Sequence, residues 1–140
     1  MAFSFLDALR TRVLLCDGAM GTHIQARDWD VHQHFHGHEN CSEILNVTMP
    51  DFVAGTHAAF FEAGADCIET NTFGANEIVL AEFGIAEQTR EINRKAAAIA
   101  REVADRYSTP ERPRFVIGSI GPGTKLASLD HTSYDILEAS

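Results

Sequence analysis

The chain has 140 residues, the usual length of one small domain, and its hydrophobic content of 45% excludes an intrinsically disordered protein. No apolar run approaches the ~18 residues that a membrane span needs, and the first residues lack the basic segment of a secretory signal. The formal net charge is −9 and the basic residues are scattered, so there is no positive stripe for binding nucleic acid.

The cysteines indicate a reducing, cytoplasmic setting without disulfides. Cys16, Cys41 and Cys67 are odd in number, widely spaced and outside any CxxC pattern. Cys16 and Cys67 each lie in an apolar run, which favours buried structural thiols over reactive ones.

The first predicted element is a buried strand at residues 13–16, an apolar run that ends at Asp17 and Gly18. Residues 21–46 are polar, rich in histidine and without a clear period, which predicts a long loop with at most a helical turn. Long loops without structure are uncommon in compact domains, so the length of this one hints at a function.

A helix is expected next, because residues 48–51 have the Thr-x-x-acid form of a helix start and Gly64 is a suitable stop. Residues 65–70, which include Cys67 and Ile68, predict the second strand, and a short helix should follow at residues 77–83.

A longer helix is predicted from about residue 86 to residue 107, with one apolar stripe formed by Ile92, Ala96, Ile99 and Val103. Residues 114–120 predict a third strand, followed by a glycine-rich turn and a helix over residues 132–139. Strands that alternate with helices imply a parallel α/β sheet, and ligands bind such sheets at the carboxyl ends of the strands.

Polar or glycine-rich groups follow each predicted strand. The first group starts with Asp17 and Gly18; the acid can bind a substrate ammonium group and the glycine can offer its backbone N–H, or the pair can form a plain Asx turn. The second group is residues 69–72, and alternation places Glu69 and Asn71 on one side of the strand and Thr70 on the other. Polar residues that leave a buried strand must face a cavity or be fully hydrogen-bonded.

Two further groups have a functional and a structural interpretation. Residues 118–125 can cradle an anion with help from Lys125 or form an ordinary turn. The alternate histidines His32, His34, His36 and His38 can chelate a metal ion if that segment is extended, or lie in a mobile loop.

Together these segments resemble the homocysteine S-methyltransferase family. The matching stretches, which occur in the family's order and cover almost the whole chain, are residues 17–22, 39–46, 50–51, 62–73 and 118–126. The Glu-Ile-Leu-Asn stretch at residues 43–46 and the Gly-Pro-Gly-Thr-Lys-Leu stretch at residues 121–126 are more similar to the cobalamin-dependent methionine synthase branch than to the betaine-dependent or S-methylmethionine-dependent branches. Ala127 stands where the family usually has proline.

The resemblance implies a (β/α)₈ barrel that transfers a methyl group to the sulfur of homocysteine. It also implies a zinc ion that binds this sulfur as a thiolate, with cobalamin and methyltetrahydrofolate as methyl carriers on separate modules. Carried over to this sequence, Asp17 matches the acid that binds the homocysteine amino group and Gly18 the adjacent backbone donor. Glu69, Thr70 and Asn71 match the segment that lines the amino-acid pocket.

The chain is shorter than the ~250 residues of a complete barrel, so we expect residues 1–140 to form its N-terminal part, with about three βα units. The family's zinc cysteines come late in the barrel, and none of the cysteines here matches them. An exposed sheet edge and inactivity of the isolated chain are therefore expected. The alternatives are a non-catalytic half-barrel that pairs with a partner chain and a small metal-binding protein that uses the histidine segment.

Overall fold

The structure, a computed structural model, describes residues 4–139. Residues 1–3 and 140, which belong to the predicted domain at residues 1–140, lie outside the described residues. None of the helices within residues 4–139 combines the length and the apolar composition that a bilayer span demands. In chain order, the elements are α1 (Phe5–Thr11), α2 (Met20–Gln25), α3 (Val31–His34), α4 (Leu45–Thr48), α5 (Pro50–Ala63), β1 (Cys67–Glu69), α6 (Glu77–Glu82), α7 (Thr89–Tyr107), β2 (Phe115–Ile117) and α8 (Tyr134–Ala139).

The sheet is small and parallel, which confirms the predicted α/β class. Strands β1 and β2 run in the same direction, with Cys67 opposite Phe115. Residues 13–17 form a third, edge segment on the other side of β1, joined to it by one parallel bridge between Cys16 and Cys67. The carboxyl ends of all three stretches therefore meet at one edge, as the alternation of strands and helices predicts.

The prediction of a buried strand at residues 13–16 was wrong. Val13 is 82% exposed, Leu15 is 59% exposed and the thiol of Cys16 is exposed, whereas Cys67 is fully buried as predicted. The segment lies at the edge of the sheet, and no element of residues 4–139 pairs with its outward side. An apolar run indicates a buried strand only where other elements of the fold cover both faces of the sheet at that strand.

Helices α5 and α7 pack on one face of the sheet, as their apolar patterns predict. Phe61 of α5 and Val103 of α7 form one buried cluster with Ile68 of β1. Helix α5 ends at Gly64, which adopts a left-handed φ of +110°. Its start differs from the expected cap, because the hydroxyl of Thr48 donates to the Ile44 carbonyl (3.2 Å) instead of capping α5.

Residues 21–46 are mainly helical, which corrects the prediction of a long loop. Helices α2, α3 and α4 and a 3₁₀ turn at Ser42–Ile44 account for most of the segment. Their apolar side chains, such as Ile24 and Phe35, are buried in a second core around Trp29. The indole N–H of Trp29 donates to the Ile24 carbonyl at 2.7 Å. Tertiary burial therefore stabilises helices that are too short to form alone.

Helix α1 was not predicted, although its start carries a capping box. The hydroxyl of Ser4 accepts the Asp7 backbone N–H (3.1 Å), and the Asp7 carboxylate accepts the Ser4 N–H (3.4 Å). Phe5 packs edge-on against Phe115 of β2, with ring centroids 5.4 Å apart. Helix α1 thus lies against the strands on the side of the sheet that faces away from α5 and α7.

Candidate functional site

A cavity of about 480 Å³ opens at the carboxyl ends of the edge segment and of β1. It is lined by all the residues that the sequence singled out for substrate binding, Asp17, Gly18, Glu69, Thr70 and Asn71, together with neighbours from α2 and the 3₁₀ turn. Its lining contains the carboxyl groups of Asp17, Glu43 and Glu69 and, within residues 4–139, no lysine or arginine. This composition suits a cationic group such as an ammonium ion.

Asp17 is held at the mouth of the cavity by the neighbouring strand. Both of its carboxylate oxygens accept the backbone N–H of Glu69 at 3.1 Å, and its own N–H donates to the Cys67 carbonyl at 3.0 Å. Burial raises the pKa of Asp17 to about 6; the hydrogen bond from Glu69 opposes this rise and the nearby Glu69 carboxylate adds to it. A cation bound beside Asp17 would therefore lower the pKa of this carboxyl and favour its ionised form.

Glu69 connects the second strand end to the third. The hydroxyl of Ser119 donates to Oε2 of Glu69 at 3.0 Å, and both side chains line the cavity. On the opposite side of the strand, the hydroxyls of Thr70 and Thr72 lie 2.6 Å apart, and Oγ1 of Thr70 accepts the Ser119 backbone N–H at 3.1 Å. Glu69, Thr70 and Asn71 all line the cavity, although alternation was expected to turn only one pair of side chains into it. Ser119, which the sequence interpretation considered only as part of a possible anion cradle, is a further lining residue.

Asn71 is fixed by the segment that was expected to be a loop. The side-chain amide of Asn71 donates to the backbone carbonyl of Ser42 (2.8 Å). The backbone carbonyl of Asn71 accepts a hydrogen bond from the side-chain amide of Asn46 (2.7 Å). Asn46 also donates to the carbonyl of Glu43 at 2.9 Å. These bonds attach the 3₁₀ turn at Ser42–Ile44 to the end of β1 and so bring Glu43 into the cavity wall.

Glu43 is a buried acid that the sequence interpretation did not select. Its Oε1 accepts the Gly74 N–H at 2.8 Å, and a Cβ added at Gly74 would lie 2.8 Å from the same oxygen. A glycine at position 74 therefore permits this close approach. Glu43 lies in the matching stretch 39–46 and Gly74 directly follows the stretch 62–73, and no local pattern reveals that the two residues meet.

The glycine-rich segment after β2 has a structural role in this arrangement. Lys125, expected to attract an anion, pairs instead with Glu82 (3.1 Å), which also accepts the hydroxyl of Thr124 (2.6 Å). The N–H of Gly121 donates to the carbonyl of Phe73 at 2.9 Å and so attaches the glycine-rich segment to a residue that lines the cavity. The turn interpretation of residues 118–125 fits these contacts better than an anion cradle.

The described residues do not fit a zinc site. Within residues 4–139 there is no group of three or more His, Cys, Asp and Glu side chains that could hold a metal ion. His32 and His34 lie in helix α3, and His36 has a left-handed φ of +51°, so the extended conformation that a histidine chelate requires is absent there. Any zinc ligands implied by the family resemblance must come from outside residues 4–139.

Comparison with known proteins identifies the family. The family model for homocysteine S-methyltransferase matches residues 14–140. The chain belongs to the homocysteine S-methyltransferase family. It is 51% identical over 132 residues to the methionine synthase of Mycobacterium tuberculosis and 47% identical over 132 residues to that of Mycobacterium leprae.

Its relatives in the homocysteine S-methyltransferase family are much longer than this chain. The matches cover 94% of the chain but only 11% of each mycobacterial methionine synthase. The crystal structure of the homocysteine methyltransferase MmuM from Escherichia coli superimposes with a TM-score of 0.65 and 28% identity, over 82% of this chain and 40% of that one. The chain thus corresponds to a part of these proteins.

Proposed function

We propose that this chain supplies the homocysteine-binding part of a methyltransferase that forms methionine. In this proposal residues 1–140 are the N-terminal part of a (β/α)₈ barrel, with about three βα units. The acidic cavity at the strand ends supports it, because homocysteine carries an ammonium group and Asp17 is the carboxyl that the edge segment presents there. Likeness to two methionine synthases favours that branch of the family over the betaine-dependent and S-methylmethionine-dependent ones.

In the proposed complex, the carboxylate of Asp17 accepts hydrogen bonds from the ammonium group of homocysteine. Gly18 lines the cavity and offers its backbone N–H to the substrate, and a Cβ at this position would lie 3.3 Å from the ring of Phe60, so a glycine also permits the close packing behind it. Glu69, Thr70 and Asn71 form the wall next to the amino-acid end. Binding in this way holds the substrate in one orientation, which lowers the entropic part of the activation barrier.

The remaining parts of the reaction belong to other segments in this proposal. Zinc, when bound by the complete barrel, would stabilise the thiolate of homocysteine, and cobalamin and methyltetrahydrofolate would carry the methyl group on further modules. We therefore expect no methyl transfer from the purified 140-residue chain. Zinc-dependent methylation of homocysteine by this chain alone would contradict the proposed division. A cytoplasmic location stays an expectation from the cysteine usage.

A chimera tests the proposed function. The 132 matched residues of the Mycobacterium tuberculosis methionine synthase would be replaced by the equivalent residues of this chain, and methionine formation from homocysteine would be measured. We expect an active chimera in which Asp17→Asn lowers kcat/KM by about 10- to 100-fold, because a charged hydrogen bond to the substrate is lost.

The matched control in the chimera is Asp105→Asn, which removes an exposed carboxylate that pairs with Arg101 on the surface of α7. We expect its activity to stay within about twofold of the parent chimera. A folded but inactive chimera, or an Asp17→Asn variant as active as the control, would refute the assignment of the cavity to homocysteine.

A second candidate function is a non-catalytic half-barrel that pairs with a partner chain. It is favoured by the exposure of Val13 (82%) at one edge of the sheet and of Ile120 (90%) beyond the other. Affinity purification of the native protein, followed by mass spectrometry, separates the two candidates. A separate polypeptide that carries the remaining barrel sequence supports the half-barrel, and a single longer chain supports the first proposal.

A further inference from the structure

Two of the free thiols lie side by side beneath the acidic cavity. Cys16 and Cys67 are directly opposite each other in the parallel bridge that joins the edge segment to β1. Opposed residues on neighbouring strands are about 4.8 Å apart and place their side chains on the same face of the sheet. That spacing lies within the range of roughly 4.4 to 6.8 Å between the Cα atoms of a disulfide.

The environments of the two thiols differ in a way that suits oxidation in two steps. Cys16 is exposed to solvent and Cys67 is fully buried. Burial is the largest cause that raises the pKa of Cys67 to about 12, and the adjacent Cys16 thiol contributes to this rise. Cys41, also buried, lies in the separate core around Trp29 and α4.

We propose that Cys16 and Cys67 are an oxidation site at which the chain forms an intrachain disulfide. With a low-molecular-weight disulfide as oxidant, the exposed Cys16 thiolate attacks one oxidant sulfur, and one small thiolate leaves. Cys67 then attacks the Cys16 sulfur of this mixed disulfide, the second small thiolate leaves, and the proton of Cys67 passes to it. Two protein thiols are oxidised and one small disulfide is reduced to two thiols.

The bond would change the segment that carries Asp17. Residues 13–17 are held to β1 and to the residue before it by hydrogen bonds, among them the Cys67 N–H to the Leu15 carbonyl (3.0 Å) and the Asp17 N–H to the Cys67 carbonyl (3.0 Å). A covalent link between Cys16 and Cys67 would restrict the opening of this segment. Oxidation would therefore stiffen one wall of the cavity without adding a group to it.

The test is a count of thiols and a peptide map of the full chain after treatment with oxidised glutathione under native conditions. Alkylation in denaturant should label three thiols in the reduced chain and one in the oxidised chain, and the map should join Cys16 to Cys67. Amide exchange at Asp17 should slow at least about tenfold on oxidation. Three remaining thiols, a stable glutathione adduct or a dimer linked through Cys16 would overturn the proposal.

Two matched variants and an unfolded sample complete the experiment. Cys41→Ser should lose both remaining thiols on oxidation, and Cys16→Ser should keep both of its own. In urea, pairs that include Cys41 should appear as well, because they close shorter loops than the pair of Cys16 and Cys67. The same mixture of pairs in native buffer would show that the folded structure does not direct the bond, and the proposal would fail.

Discussion

Both carboxylate oxygens of Asp17 accept the backbone N–H of Glu69, each at 3.1 Å, so the first strand end is tied to the second by an acid that lines the cavity. The pKa of Asp17 is about 6, above its ordinary value of 3.8, mainly because of burial. A raised pKa means that the folded chain binds this proton more tightly than the unfolded chain does. The ionised Asp17 therefore costs stability that grows as the pH rises from about 4 to about 6.

We expect Asp17→Asn to stabilise the isolated chain at pH 7 by about 1–2 kcal/mol, a value reduced for partial exposure to solvent. The amide oxygen can still accept the Glu69 N–H, but the group cannot ionise. Urea unfolding at pH 7 and at pH 4 measures this gain, which should disappear at the lower pH. Asp105→Asn is the control and should change stability little at either pH. A loss of stability at pH 7 would contradict the view that Asp17 is retained for binding.

His57 makes the fold sensitive to mild acid. Its side chain is fully buried in α5, and neither ring nitrogen has a hydrogen-bond partner within residues 4–139. Burial lowers the pKa of His57 to about 4, from 6.5. The unfolded chain therefore binds the proton first, and the folded state should lose up to about 3 kcal/mol as the pH falls from 6.5 to 4.

Replacement of His57 by leucine isolates that effect. We expect His57→Leu to unfold at higher urea concentration than the parent chain, by an amount that increases between pH 6.5 and pH 4. The matched control His32→Leu changes an exposed histidine of α3 and should show no such trend. A constant difference between His57→Leu and the parent across this range would mean that the buried ring is not the titrating group.

Asp66 forms the ionic centre at the opposite end of β1 from the cavity. It accepts two bonds from the guanidinium of Arg12 (2.8 and 3.0 Å), and Arg112 and Arg114 lie 3.5 and 3.8 Å away. The bond from Arg12 is the largest cause that lowers the pKa of Asp66 to about 2. Its contribution to stability is present above pH 4 and is lost as the pH falls towards 2.

Removal of the Asp66 charge should be costly because the buried guanidinium of Arg114 loses its ionic neighbour, whereas Arg12 and Arg112 are nearly half exposed and are screened by solvent. We expect Asp66→Asn to lower the free energy of unfolding at pH 7 by about 2–3 kcal/mol, a value reduced for that exposure. Glu91→Gln, which breaks an exposed pair with Arg94 on α7, should change stability little by comparison. Thermal unfolding of both variants at pH 7 measures the contrast, and similar losses would contradict the burial argument.

The sequence predicted the elements whose patterns are local. The stripe on α7, the stop of α5 at Gly64 and the polar residues after β1 each follow from spacing or from one residue type. The exposure of Cys16 was not predictable in this way, because burial depends on whether another strand lies alongside. The helices within residues 21–46 are stabilised by a core that assembles from distant residues, so a search for periodicity misses them.

The same reasoning explains which parts of the cavity were missed. Asp17 and Glu69 stand at strand ends, where the fold class directs attention. Glu43 and Ser119 reach the cavity through contacts with residues 31 and 50 positions away in the chain. Both residues stand in stretches that match the family, residues 39–46 and 118–126, but no local pattern there indicates that their side chains meet the cavity.

Gly121 should tolerate no side chain, because it lies against the backbone of the cavity wall. A Cβ at this position would lie 2.5 Å from the carbonyl oxygen of Phe73 and 2.8 Å from its ring, and the Gly121 N–H donates to that same carbonyl. We expect Gly121→Ala to break this bond and to lower the free energy of unfolding by about 1–3 kcal/mol.

Gly118 provides the control from the same segment, since a Cβ there would meet no atom within 4 Å. Gly118→Ala should change stability by less than about 0.5 kcal/mol. Urea unfolding measures both variants, and amide exchange at position 121 reports the bond to Phe73 directly. Fast exchange at this amide in Gly121→Ala, with slow exchange in Gly118→Ala, would show that the glycine is needed for close packing. Equal exchange and equal stability would mean that the wall adapts to a methyl group, and the cavity would then be less rigid than its contacts indicate.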